Sequence, residues 1–267
     1  MPKITKQIIK SIHLPKPNSN KYQNGRLLIV AGSQKYHGAL LFALKAASRL
    51  VGIIYILSSP DNYPLIKKLK GQTAEFITIK KLDEGGKIDC ILVGSGLEVN
   101  SQTKSLVAKI LKIKQKTVLD AGALRVLDQG LMKLLHRNVI LTPHHGEFRD
   151  VFSLPPTPHN AAEVAKKYRC FMLLKGSKAL VATPEGKIFY NTTGNAGMAK
   201  GGSGDVLAGL ISGLFSKNDA LTAAAAGLYV NGRAGDDLYK TSASFYNSED
   251  LSLQVPKTLK NLLLKSE

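Results

Sequence analysis

Acidic side chains are scarce in this chain, and cysteine and tryptophan are scarcer still. Its 267 residues hold 19 Asp and Glu against 37 Lys and Arg, with two Cys and no Trp. Two cysteines, Cys90 and Cys170, exclude a disulfide framework, and neither sits with histidines at zinc-ligand spacing. Both fall in apolar, strand-like runs, which points to buried thiols in a reducing compartment. No apolar run is long enough to span a bilayer. Residues 1–14 are basic but lack the apolar centre of a secretory signal, and they contain no Arg. The expectation is a cytoplasmic protein without membrane partners.

The shortage of acids leaves a net charge of +18. Such a balance fits a polyanion partner. The basic residues, however, are spread along the chain, as at Lys67–Lys68, Lys80–Lys81, Lys112, Lys114 and Lys166–Lys167, and are not interleaved with aromatics. A diffuse basic surface is expected, and no nucleic-acid site. Duplex DNA should therefore bind weakly, if at all, in an anisotropy titration at physiological salt. Tight binding that persists at high salt would restore a polyanion-binding module as the function.

Apolar runs alternate with helical patterns. Strands are expected at 26–32, 52–57, 75–79, 88–94, 117–120, 138–142 and 171–174. Helices are expected at 39–50 and 102–111. Near-continuous apolar strands separated by helices imply a parallel sheet covered on both faces. A hairpin follows, 178–182 and 187–190, turning on Thr183-Pro-Glu-Gly186. Helices at 206–215, 219–234 and 249–265 close the chain, the last interrupted by Pro256. The fold class is α/β, a three-layer α/β/α sandwich with a mostly parallel central sheet, expected as one domain over 1–267. Polar and glycine clusters end four strands, at Gly32-Ser33, Gly94-Ser-Gly96, Asp120-Ala-Gly122 and Thr142-Pro-His-His-Gly-Glu147. In a parallel sheet these ends share one edge and should meet in one cleft.

The densest signal is Asn191-Thr-Thr-Gly-Asn-Ala-Gly-Met-Ala-Lys-Gly-Gly-Ser-Gly-Asp205, which runs into a helix. Gly201, Gly202 and Gly204 leave backbone N–H groups uncovered at a helix N-terminus, where an anion is favoured. Asp205 at that position is an ordinary first-turn acid if the loop has no ligand. It is a general base if something carrying a proton meets phosphate there.

These segments resemble the ADP/ATP-dependent NAD(P)H-hydrate dehydratases, the nicotinamide-repair branch of the ribokinase-like superfamily. Gly32–Ala39, Asp89–Leu97, Val118–Leu124, Leu141–Phe148, Leu174–Ser177 and Thr193–Gly209 match its blocks in order. The Gly-rich block is shared with the wider superfamily, while the Thr-Pro-His…Gly-Glu block points to this branch. Ser95, Glu98, Gly122, His145 and Lys200 depart from the family's usual residues. The resemblance implies a ribokinase-like fold, a homotetramer, and Mg²⁺ carried by an ADP or ATP co-substrate, with ADP favoured. The family's fused epimerase domain is not expected within this chain. The implied substrates are hydrated NADH and NADPH.

By the same resemblance, Asp205 is the general base and Lys175, Asn195, Ala196, Gly197, Met198, Gly201, Gly202, Ser203 and Gly204 bind the nucleotide. Tyr36, Gly38, Ala39, Gly96, His144, Glu147 and Asp205 would face the hydrated nicotinamide, with the Mg²⁺ ion near Glu147. Against these roles stand plainer ones. His144 could hydrogen-bond a turn, Lys175 could be a solvated charge, Tyr36 could be packing, and Asp120 could cap a helix or hold a loop. A vitamin-precursor kinase of the hydroxyethylthiazole type would use the same loop and Asp205, and is the alternative enzyme.

Overall fold

The computed structural model describes residues 2–71 and 73–264. The apolar runs form nine strands: β1 (Arg26–Val30), β2 (Ile53–Leu57), β3 (Ile77–Thr78), β4 (Cys90–Val93), β5 (Thr117–Leu119), β6 (Val139–Leu141), β7 (Phe171–Leu174), β8 (Leu180–Ala182) and β9 (Ile188–Tyr190). They make one sheet in the order β3-β2-β1-β4-β5-β6-β7-β8-β9. β1 to β7 are parallel, and the hairpin β8–β9 continues antiparallel from β7. The intervening segments form α1 (His37–Ala47), α2 (Tyr63–Leu69), α3 (Ser101–Lys112), α4 (Ala121–Arg125), α5 (Gln129–Met132), α6 (His145–Phe152), α7 (Pro158–Lys167), α8 (Ser203–Phe215), α9 (Ala220–Ser242) and α10 (Ser248–Leu264).

Alternate residues of each strand serve opposite layers, as a pleat requires. Leu27, Ile29, Ile56, Leu92, Val118, Ile140 and Leu173 pack with α1, α2, α8, α9 and α10. Leu28, Val30, Ile91, Val93, Leu119, Leu141 and Met172 pack with α3 to α7. Both faces are therefore buried, which is why the strands carry so few polar residues. Cys90 and Cys170 are free and fully buried. Among the described residues no helix is long and apolar enough to cross a membrane.

Several element ends shift by two or three residues from expectation, and three differences have clear causes. The last helix runs through Pro256 without interruption, because Leu251, Val255, Thr258 and Leu262 lie on one buried stripe. Burial of that stripe offsets the roughly 3 kcal/mol that an interior proline costs. Its expected end at Lys265 lies outside the described residues. α9 runs eight residues beyond 234, its last turns carrying the Arg233–Asp237 ion pair at 3.4 Å. α8 starts at Ser203, three residues early, because Gly202 (φ 94°) turns the chain directly into it.

Strand order runs outward in both directions from the β1–β4 pair. The loops leaving those two strands diverge and open a crevice at the carboxyl ends of the sheet, the usual ligand position in such folds.

Candidate functional site

At that edge five strand ends, those of β1, β4, β5, β6 and β7, are knitted together. The Gly32 N–H donates to the Ser95 carbonyl (2.8 Å), and the Thr142 Oγ1 hydroxyl donates to Asp120 Oδ1 (2.8 Å). Lys175, just past β7, places Nζ 2.8 Å from Asp120 Oδ1 and 3.9 Å from Glu147 Oε2. Ser95 Oγ lies 3.2 Å from Asp120 Oδ2. The first turn of α8 sits over this cluster, with Asp205 facing Lys175, Asp120, Glu147 and Ser95.

The electrostatics follow from burial. Desolvation pushes the Lys175 pKa down, but Asp120, Glu147 and Asp205 outweigh it, so the ammonium is held above its ordinary value and stays charged. Asp205 moves the other way. Burial and then repulsion from Asp120 raise its pKa to about 6, against the opposing pull of Lys175 and Ser95. A carboxylate with that proton affinity is ionised at neutral pH yet basic enough to take a proton.

Two clefts meet at this cluster. The first, about 420 Å³, is lined by Lys175, Asn195, Ala196, Met198, Ser203 and Gly204, and by Thr193, Leu207, Leu228, Asn231 and Gly232. The second, about 560 Å³, is lined by Tyr36, Ala39, Gly96, Glu147 and Asp205, and by Lys35, Glu98 and Arg125. Consecutive residues of one helical turn thus face different clefts: Ser203 and Gly204 the first, Asp205 the second. The positive end of the thirteen-residue helix α8 points at the junction.

Most of the expected site residues come together here, and some have different duties. Asn195 borders the first cleft, but its carbonyl oxygen accepts from the Gly197 N–H and the Tyr246 hydroxyl, and its amide donates to Asp236. Gly197 is buried behind the loop, where a Cβ would sit 2.8 Å from the Tyr246 ring. Gly201 is exposed and lines neither cleft. Gly202 is likewise away from both; a Cβ there would lie 2.6 Å from the Phe42 ring. Packing and positive φ by themselves require glycine there. Of the loop glycines, Gly204 is the one that both lines the first cleft and has room for a Cβ, which would meet only Lys175 Nζ, at 3.4 Å.

On the other side, Gly38 and His144 line neither cleft. His144 caps α6: its Nδ1 accepts from the Gly146 and Glu147 N–H groups while Glu147 Oε2 accepts from the His144 N–H (2.9 Å). Glu147 is thereby committed to the cap and to Lys175, which leaves it poorly placed as an open metal ligand. No group of three or more His, Cys, Asp or Glu among the described residues is arranged to hold a metal ion. The residues present do not fit a cation held by the protein.

Asp120, Thr142 and Ser95 belong to the strand-end clusters expected to meet in one cleft, and they do meet; no binding role is expected for them from the sequence, Asp120 being weighed there as a cap or a loop holder. It makes no side-chain cap and instead anchors Lys175. Leu207, Leu228 and Asn231 also line the first cleft, where α8 packs on α9. The departures have local partners too. Lys200 Nζ donates to the carbonyls of Ser244 and Tyr246, tying the Gly-rich loop to the turn between α9 and α10. Gly122 packs against the Leu97 carbonyl, which lies 2.2 Å from where a Cβ would stand.

A family model for NAD(P)H-hydrate dehydratase matches residues 27–257, from β1 into α10. The chain belongs to that family. The ADP-dependent (S)-NAD(P)H-hydrate dehydratase of Xanthomonas campestris pv. campestris is 32% identical, the match covering 97% of this chain and 96% of that protein. Among solved structures, a ribokinase-like superfamily protein from Enterococcus faecalis V583 superposes with a TM-score of 0.88 at 26% identity, over 98% of this chain and 96% of that one. The Bacillus subtilis ADP/ATP-dependent NAD(P)H-hydrate dehydratase co-crystallised with ATP and Mg²⁺ gives 0.86 at 28%, over 98% of each chain. The fold of the family member described here is accordingly ribokinase-like. Its other relatives include bifunctional NAD(P)H-hydrate repair enzymes from Methanocaldococcus jannaschii and Methanopyrus kandleri, and the chain spans about half the length of these.

Proposed function

We propose that this protein restores NADH and NADPH from their hydrated forms at the expense of a nucleotide, with ADP the favoured phosphoryl donor. The observation that carries the reading is the junction of the two clefts: one turn of α8 offers the Gly204 N–H, beside Lys175 from the end of β7, to the first and Asp205 to the second. The names of its relatives support the substrate and the donor.

The nucleotide occupies the first cleft with its terminal phosphates at the α8 N-terminus, where the helix dipole, the free N–H groups and Lys175 balance their charge. The hydrated nicotinamide occupies the second. Asp205 takes the proton of the ring hydroxyl as its oxygen attacks the terminal phosphorus, and the shorter nucleotide leaves. A hydroxide is a poor leaving group, whereas the phosphate ester formed is a good one. The ring nitrogen's lone pair expels phosphate, and loss of a proton from the neighbouring ring carbon restores the dihydronicotinamide. Lys175, anchored by Asp120, holds the transferring group between donor and acceptor. Mg²⁺ enters as the counter-ion of the nucleotide phosphates.

Mixing the protein with hydrated NADH and either ADP or ATP, and following the absorbance of regenerated NADH, tests the reading. The rate should fall with decreasing pH through about 6, as Asp205 is protonated. A stable phosphate ester accumulating without NADH would instead assign a kinase.

A further inference from the structure

Three asparagines line the first cleft, and two of them are taken up by the protein itself. The Asn191 amide donates to the Thr193 carbonyl (2.8 Å), and its oxygen accepts from the Thr193 hydroxyl (3.1 Å). Asn195 is held by Gly197, Tyr246 and Asp236. The third, Asn231 in α9, is only 4% exposed, and its carbonyl oxygen has no hydrogen-bond partner among the described residues. A buried acceptor without a donor costs stability, so its persistence in a cleft wall points to a ligand that supplies one.

The neighbours of Asn231 indicate which part of a ligand it meets. Charge gathers at Lys175 and at the α8 N-terminus, with Ser203 and Gly204. Leu228, one turn before Asn231 on α9, Leu207, one turn into α8, and Ala179 give the same cleft apolar surface. A phosphate suits the charged end. A flat ring with a polar edge suits an apolar wall that carries one free amide.

We propose that Asn231 is the base-reading residue of the first cleft and selects adenine. A carboxamide carries an acceptor and two donors side by side, and no protein group fixes which way the Asn231 oxygen points. Adenine offers the complement: its 6-amino group donates and a neighbouring ring nitrogen accepts, the pairing by which asparagine reads adenine in DNA. Hypoxanthine and guanine carry a carbonyl oxygen at that place, which leaves the Asn231 oxygen facing another acceptor. Asn231 has this role only if the nucleotide lies in the first cleft, as the dehydratase reading places it; it needs nothing of the second cleft.

The test is calorimetric titration of the intact protein with ADP and with IDP, whose base carries oxygen in place of the 6-amino group. Wild type should bind ADP about 5- to 100-fold more tightly than IDP, the discrimination of a good amide–base pair. In Asn231→Leu and Asn231→Ala the preference should vanish, through loss of ADP affinity with IDP affinity little changed. Asn231→Leu should melt at or above the wild-type temperature, since the buried oxygen has no partner in the protein to lose. An amide that merely holds α9 in place would give the reverse, a lower melting temperature with the preference for ADP intact. No preference in wild type, or a preference that survives in both variants, overturns the assignment. Gly204→Val separates the two levels. If it binds ADP as wild type does, the nucleotide is not in the first cleft, and the reading of that cleft falls together with the role of Asn231. If it loses ADP while both Asn231 variants still prefer ADP, only the role of Asn231 falls. Wild-type protein that selects ADP yet regenerates no NADH would sink the dehydratase reading and leave Asn231 as the base reader.

Discussion

Asp205→Asn should lose about 10²–10⁴-fold in turnover of hydrated NADH, the usual contribution of a general base, while binding ADP as tightly as before or more so. The two halves of this expectation come from one place in the structure. Asn keeps the shape of the side chain in the first turn of α8 but cannot accept the hydroxyl proton. It also removes a negative charge beside the expected phosphate position. Stability supplies an independent sign. In the folded protein Asp205 has its pKa raised from 3.8 to about 6. The native state therefore binds the proton more strongly than the unfolded chain, and this group costs stability progressively as pH rises from about 4 to 6. The Asn variant escapes that cost, so its melting temperature should equal or exceed wild type above pH 6, and the gap should close toward pH 4. Near-normal turnover would move the base elsewhere, with Glu147 the next candidate.

Gly202 and Gly204, two residues apart, should fail in opposite ways when substituted. Gly204→Val projects a side chain into the first cleft against Lys175, at a helical backbone position that any residue can adopt. It should fold normally and lose about 10²-fold in ADP affinity, since displaced groups at a phosphate site cost on that order. Gly202→Val forces a β-branched side chain into a φ of 94° and against the Phe42 ring. Strain and overpacking together cost roughly 2–5 kcal/mol, or on the order of 5–15 °C in melting temperature. Calorimetry and nucleotide titration on both variants separate a phosphate contact from a packing contact within one loop. Wild-type ADP affinity in Gly204→Val would remove the nucleotide from the first cleft.

The strands were legible in the sequence because both faces of a parallel sheet are buried, so Leu27–Val30 or Ile91–Val93 must be apolar throughout. The glycine loop and Asp205 were legible for a related reason: positive φ and close packing admit few residue types, and a helix start leaves a local mark. Local pattern ends there. That Gly202 serves Phe42 while Gly204 faces a cleft could not be read from two glycines that look alike. Ser95, Asp120, Thr142 and Lys175 are separated by up to 80 residues and carry no shared spacing. They meet because parallel strands bring their carboxyl ends to one edge, where Ser95, Thr142 and Lys175 all donate to the Asp120 carboxylate. Pro256 shows the same division. Its propensity breaks helices, and the buried stripe through Leu251, Val255 and Leu262 overrides it, because burial against neighbouring helices is a property of the assembled layers.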